Sequence, residues 1–220
     1  MTKKKSILVT KLLSSEQKMK LANFDLIEQE LIQITINDQF KLDHVSDFVV
    51  FSSKNAVKAL EKGGLIGALK GVKVYCVGEK TAEFLKQLDI NAEFVAENAF
   101  DLANFLILEK PKKITFFCGN LRRNELPALL KENEILVDEQ VVYQTDLLKP
   151  KFIQKFDGIL FFSPSGVRSF CQKNKPEAIA FCLGNTTAIT ATDFFEEVFV
   201  AEEQSVDGLI NTLNETYGYA

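Results

Sequence analysis

The sequence predicts an α/β protein: two similar three-layer lobes with mostly parallel sheets, joined by a two-stranded β-ladder, the second lobe inserted into the first. Three observations carry this. Short apolar runs alternate with amphipathic stretches of helical period along the chain. Three local patterns recur, in the same order, about 105 to 110 residues later. Two longer runs alternate apolar with polar residues, the mark of strands covered on one face.

The strand candidates, in order, are Ile7–Thr10, Ile32–Ile36, Phe48–Ser52, Lys73–Val77, Ala92–Val95, Lys113–Cys118, Leu136–Tyr143, Asp157–Ser163, Ala178–Leu183 and Glu197–Val200. Between them, Ala56–Lys62, Thr81–Leu88, Leu102–Leu108 and Glu125–Lys131 place apolar residues at i, i+3 and i+4, as a helix with one buried face requires. Gly158-Ile159-Leu160-Phe161-Phe162 is apolar at successive positions, which suits a parallel strand covered by helices on both sides.

The repeat aligns Phe51-Ser52-Ser53 with Phe161-Phe162-Ser163, Val77-Gly78-Glu79-Lys80-Thr81 with Leu183-Gly184-Asn185-Thr186-Thr187, and Phe94-Val95-Ala96-Glu97 with Phe199-Val200-Ala201-Glu202. The runs Leu31–Asp38 and Leu136–Thr145 alternate and flank the first copy. The expected organisation is a discontinuous lobe of residues 1–30 and 147–220, a connecting ladder of 31–37 and 137–146, and an inserted lobe of 38–136.

Composition narrows function. A net charge of −4 argues against non-specific nucleic-acid binding, which needs a basic field. A single histidine, His44, leaves little for a His-based metal site or a Ser-His-Asp triad. It sits in a polar connection and reads as a surface residue. Cys76, Cys118, Cys171 and Cys182 lack CxxC spacing, and three of them fall in apolar strands, as reduced buried thiols of a cytoplasmic protein would. No secretory signal and no membrane span is expected. GxGxxG, GxxxxGK[ST] and GxSxG are absent, so neither a dinucleotide fold, a P-loop nor a nucleophile elbow is indicated.

What remains is a set of hydroxyl-rich strand ends. Ser52-Ser53 and Ser163-Pro164-Ser165 each follow a strand and precede a helix; Gly78…Thr81 and Gly184…Thr187 do the same after the next strand. Residues of these types cap helices, and helix starts present N–H groups to anions. In open α/β sheets this is the edge where ligands sit. Two such edges facing each other would form a cleft suited to a ligand with several carboxylates or phosphates. Arg122-Arg123 fit either a carboxylate clamp or an exposed helix start. Tyr143 lies on a candidate ladder strand, where it packs or reaches the cleft with its phenol.

Phe117-Cys118-Gly119-Asn120-Leu121-Arg122-Arg123-Asn124-Glu125-Leu126-Pro127, Val142-Tyr143-Gln144-Thr145, Phe161-Phe162-Ser163-Pro164-Ser165-Gly166-Val167 and Gly184-Asn185-Thr186-Thr187-Ala188 together resemble uroporphyrinogen-III synthases. The likeness runs from about Val49 to Leu209. It departs near the N-terminus, where Val9-Thr10-Lys11-Leu12 stands in place of the family's strand ending Thr-Arg-Pro. The resemblance implies a two-lobed lyase that closes hydroxymethylbilane with loss of water and inversion of ring D, without metal or organic cofactor. It implies that Tyr143 assists departure of the hydroxyl. It implies that Ser53, Thr81, Gly119, Asn120, Ser163, Ser165, Thr186 and Thr187 bind the substrate. The expected partners are the small-molecule substrate and, transiently, the preceding pathway enzyme, with a monomer as the default and no nucleic acid or membrane. A two-lobed small-molecule sensor without chemistry is the competing reading.

Overall fold

Residues 4–37, 40–42 and 44–219 are described by the structure, a computed structural model. In chain order the elements begin with β1 (Ser6–Val9), α1 (Ser15–Met19), β2 (Asp25–Glu28), β3 (Ile32–Ile36), β4 (Phe48–Phe51) and α2 (Lys54–Lys62). A 3-10 turn, Ile66–Leu69, leads to β5 (Lys73–Val77), α3 (Glu79–Lys86), β6 (Phe94–Ala96), α4 (Ala99–Glu109), β7 (Lys113–Gly119) and α5 (Glu125–Glu132). Then follow β8 (Leu136–Leu147), β9 (Gly158–Phe161), α6 (Pro164–Cys171), β10 (Ile179–Cys182), α7 (Asn185–Thr192), β11 (Val198–Val200) and α8 (Val206–Thr216). The chain forms two units, one of residues up to Gln33 and from Asp146 onward, the other of Ile34–Thr145.

The first unit holds a five-stranded sheet in the order β11-β10-β9-β1-β2, parallel throughout. The second holds a six-stranded sheet in the order β3-β8-β7-β4-β5-β6, in which β8 to β6 are parallel. The repeated segments occupy equivalent places: β4-β5-β6 in one sheet, β9-β10-β11 in the other. Each series lies beside a second strand–helix–strand pair, β7-α5-β8 or β1-α1-β2. In both units the chain therefore runs outward in two directions from one point, between β4 and β7 or between β1 and β9. Ligands of doubly wound sheets bind outside the carboxyl ends of the strands at such a point.

The continuous apolar runs are explained by what each face touches. In the second unit Phe51 and Phe117 pack with Val57, Leu60 and Leu85 of α2 and α3, while Ile114, Phe116 and Cys118 pack with Leu102, Leu106, Leu126 and Leu130 of α4 and α5. In the first, Ile159 and Phe161 meet Val167, Phe170 and Ala191 of α6 and α7, and Leu160 and Phe181 meet Leu209 and Leu213 of α8. Alternate residues of one strand serve opposite helix layers, so both parities must be apolar.

Three details differ from the sequence reading. Asp25–Glu28 is a strand, pairing Ser6↔Asp25 through Val9↔Glu28; it lies at a sheet edge and offers only Leu26 and Ile27 to the core, too short a pattern to register. Helix α1 buries no residue and shows no apolar stripe; it is held by a capping box of Ser14 and Gln17. Finally, the run expected only as a ladder strand, β8, also extends the sheet of the second unit, its residues Leu136–Tyr143 pairing with β7 besides its partner β3.

Candidate active site at the strand ends

In the second unit, β4 delivers Ser53 to the N-cap of α2, where its oxygen accepts the Asn55 N–H at 3.2 Å. After β5, Gly78 turns the chain with φ +82, a conformation that favours glycine, and caps α3 without a side chain. Gly78 thus brings no side chain to the start of α3, and Thr81, three residues on, is buried. β7 ends at Gly119, and Asn120 follows.

Tyr143 reaches this edge because the β7–β8 pairing slips by one residue. Cys118 pairs with Val141, but Gly119 pairs with Tyr143, so Val142 is the extra residue of a bulge. Val142 is buried in the core on the α2 side, and Tyr143 packs against the same cluster. Without the slip Gly119 would face Val142, and Tyr143 would turn to the opposite face of the sheet. A Cβ on Gly119 would overlap the Tyr143 ring and lie 2.8 Å from its hydroxyl oxygen. The missing side chain is therefore the seat of the phenol, which lies over the end of β7 towards Ser53. Burial pushes the Tyr143 phenol above its ordinary value, and hydrogen bonding from Ser53 pulls the other way. Ser53 thus accepts the Asn55 N–H and lies beside the phenol at the same strand edge.

The arginines divide. Arg122 is half-buried and forms an ion pair with Glu139 of β8, and its N–H closes a turn onto the Gly119 carbonyl at 3.1 Å. This guanidinium ties the β7–α5 connection to β8, a third use beside the two the sequence allowed; Arg123 is exposed. Lys54, next to Ser53, holds its ammonium 4.5 Å from the centre of the Phe84 ring. His44 is exposed, as read from its polar surroundings.

In the first unit three hydroxyls converge at the equivalent point. Ser163 caps α6, accepting the Gly166 N–H at 3.2 Å, and its oxygen lies 3.0 Å from that of Ser165. Thr10, at the end of β1, donates to the Leu160 carbonyl at 2.8 Å. A Cβ on Gly166 would stand 3.5 Å from the Ser163 oxygen and 3.9 Å from that of Thr10. Thr10 was not singled out from sequence, although it ends its strand in a hydroxyl as the others do. Helix α7 starts at Gly184, again without a side-chain cap, with Thr186 exposed and Thr187 buried. Gln204, also missed, approaches Gly184 so closely that a Cβ there would lie 2.7 Å from its amide nitrogen. It follows β11 in a polar run without a recognisable signal.

Ser53, Gly119, Asn120 and Tyr143 are thus assembled at one strand edge with Thr81 one strand further on, and Ser163, Ser165, Thr186 and Thr187 at the equivalent edge of the other unit. Among the described residues no group of three or more His, Cys, Asp or Glu could hold a metal. No helix among them is long and apolar enough to cross a membrane.

Comparison with known proteins is consistent with this geometry. The chain is 24% identical over 231 residues to the porphyrin biosynthesis protein HemD of Ruminiclostridium josui, and 25% identical over 157 residues to the uroporphyrinogen-III synthase of Saccharomyces cerevisiae. These alignments take in 92% and 57% of this chain but only 46% and 57% of those proteins. Two crystal structures share the fold. A mutant uroporphyrinogen III synthase from Thermus thermophilus matches with a TM-score of 0.72 at 14% identity, covering 98% of this chain and 99% of that one. The uroporphyrinogen-III synthetase of Helicobacter pylori matches with a TM-score of 0.66 at 18% identity, covering 96% and 99%. The sequence pattern of uroporphyrinogen-III synthase HemD extends over residues 22–211, through both copies of the repeat and the strand that carries Tyr143, and the chain belongs to that family.

Proposed function

We propose that the chain is a uroporphyrinogen-III synthase, a lyase that converts hydroxymethylbilane to uroporphyrinogen III by loss of water and ring closure with inversion of ring D. The observation that carries this reading is the Tyr143 phenol, buried and seated over Gly119 at the switch point of its sheet, beside Ser53. The hydroxyl-lined edges and the glycine-headed starts of α3 and α7 suit a linear tetrapyrrole whose side chains end in carboxylates. Ser53, Thr81 and the Gly119 backbone bind on one unit; Ser163, Ser165, Thr186 and Thr187 bind on the other.

The chemistry asks little of the protein's acids and bases. The pyrrole nitrogen supplies the electron pair that expels the terminal hydroxyl, giving an azafulvene cation. Tyr143 donates a hydrogen bond to the departing oxygen. Burial disfavours the phenolate, so the phenol polarises the leaving group while keeping its own proton for most of the path. The substituted carbon of ring D then attacks the terminal methylene to form a spiro intermediate. That intermediate fragments, and the freed end closes the ring with loss of a proton. Water leaves and no oxidation state changes. The protein's main contribution is to fold the chain so that the substituted carbon meets the methylene, which is proximity and orientation. Four free thiols, three of them buried, suit a reducing compartment, and we place the reaction in the cytoplasm.

Incubation with freshly made hydroxymethylbilane, followed by separation of the product isomers, tests the proposal. The type III isomer is expected. Only the type I isomer, which forms spontaneously, would overturn the assignment and leave a binding protein without chemistry.

A further inference from the structure

Asn120 follows the last residue of β7 at the edge where Tyr143 sits, yet its carboxamide is turned along the protein's own backbone. The Thr145 N–H donates to its Oδ1 at 2.7 Å, and its Nδ2 donates to the Thr145 carbonyl at 3.3 Å. Its backbone N–H donates to the Tyr143 carbonyl at 3.2 Å. A carboxamide has the donor and acceptor of a peptide group, so this side chain adds one rung to the β7–β8 ladder beyond the last backbone pair, Gly119↔Tyr143.

The rung stands where the ladder needs it. The register slips between Cys118 and Gly119, and a single backbone pair follows before β7 ends. The competing arrangement is one residue away: with the slip removed, Tyr143 turns to the other face and its ring leaves the space above Gly119. Bonds to Thr145, which is buried, hold residues 143 to 145 in the slipped register.

We propose that Asn120 is a positioning residue for the reaction, locking the β8 register that seats the Tyr143 phenol over Gly119, rather than a contact for the substrate. The proposal rests on the reading of Tyr143 as the donor to the leaving hydroxyl. It predicts that Asn120 acts on turnover through Tyr143 and not on substrate affinity.

The test combines steady-state kinetics with ultraviolet titration of tyrosinate. In Asn120→Ala, kcat should fall about 10-fold with KM within about 2-fold, since misplacement of a reacting group costs turnover. In the Tyr143→Phe background the same change should lower kcat no further. The Tyr143 titration, isolated by subtracting that of Tyr143→Phe, should move down towards an ordinary phenol as the ring loses its seat. Should Asn120→Ala fail to fold, Asn120→Ser keeps an acceptor for the Thr145 N–H and should show the same pattern at smaller size. A raised KM with kcat retained, losses that multiply in the double variant, or an unmoved titration would overturn the proposal. If Tyr143→Phe alone keeps full turnover, the role given to Tyr143 fails, and the titration alone decides whether Asn120 seats the ring.

Discussion

Gly119 and Tyr143 face each other across the β7–β8 pair, and the phenol ring fills the space that a side chain at 119 would occupy. The glycine is required for room, since its backbone φ is not among the positive values. Gly119→Ala should displace the ring and lower kcat at least about 10-fold, with stability changed little because the edge of the strand can yield. Turnover of the purified variant, with thermal unfolding as control, checks this; full activity would mean that the ring need not lie there.

Tyr143→Phe removes the donated proton and keeps the ring. Turnover should fall about 10- to 100-fold, equivalent to about 1.4–2.7 kcal/mol of barrier, and the type III isomer should persist. In the proposed role the phenol acts protonated, and burial raises its pKa above the ordinary value, so Tyr143 should cause no loss of rate until pH passes the ordinary phenol range. A pH–rate profile of both proteins checks this: any alkaline limb owed to Tyr143 vanishes in the variant.

Thr81 and Thr187 occupy the same position in the two copies of the repeat, each the third residue of a helix that begins at glycine. Both are buried, and among the described residues neither hydroxyl has a side-chain hydrogen bond within the protein. Valine keeps the shape and removes only the hydroxyl. Thr81→Val and Thr187→Val should leave Tm within about 2 °C, because no internal hydrogen bond is lost, while raising KM several-fold. A fall in Tm with KM unchanged would assign these hydroxyls to folding.

Burial raises the thiol pKa of Cys76 and Cys118 to about 11 and that of Cys182 to about 12. In the unfolded chain these groups ionise near their ordinary value of 9. The folded state therefore keeps protons that the unfolded state releases, and the stability this contributes is complete below pH 9 and is lost as pH rises towards 11. The urea midpoint should be lower at pH 10 than at pH 8, and Cys76→Val should flatten the slope. A midpoint constant over that range would show that the thiols are solvated.

The residues Ser53, Thr81, Ser163 and Thr187 were legible because they follow apolar runs at strand ends and recur in register, a pattern written in local order. Asp25–Glu28 was not, because an edge strand with two core residues differs little from a loop. The engagement of Arg122 with Glu139 and of Asn120 with Thr145 was not, because each joins segments separated by a helix.

The layered α/β class, the duplicated strand–helix series and the hydroxyl-rich strand ends follow from local order alone, since strands buried on both faces must be apolar at successive positions and helix starts draw on few residue types. Where Tyr143 points is a property of the folded sheet. That follows from a one-residue slip beside Gly119, and register is set by which side chains of two neighbouring strands meet, a relation that no local stretch of sequence contains.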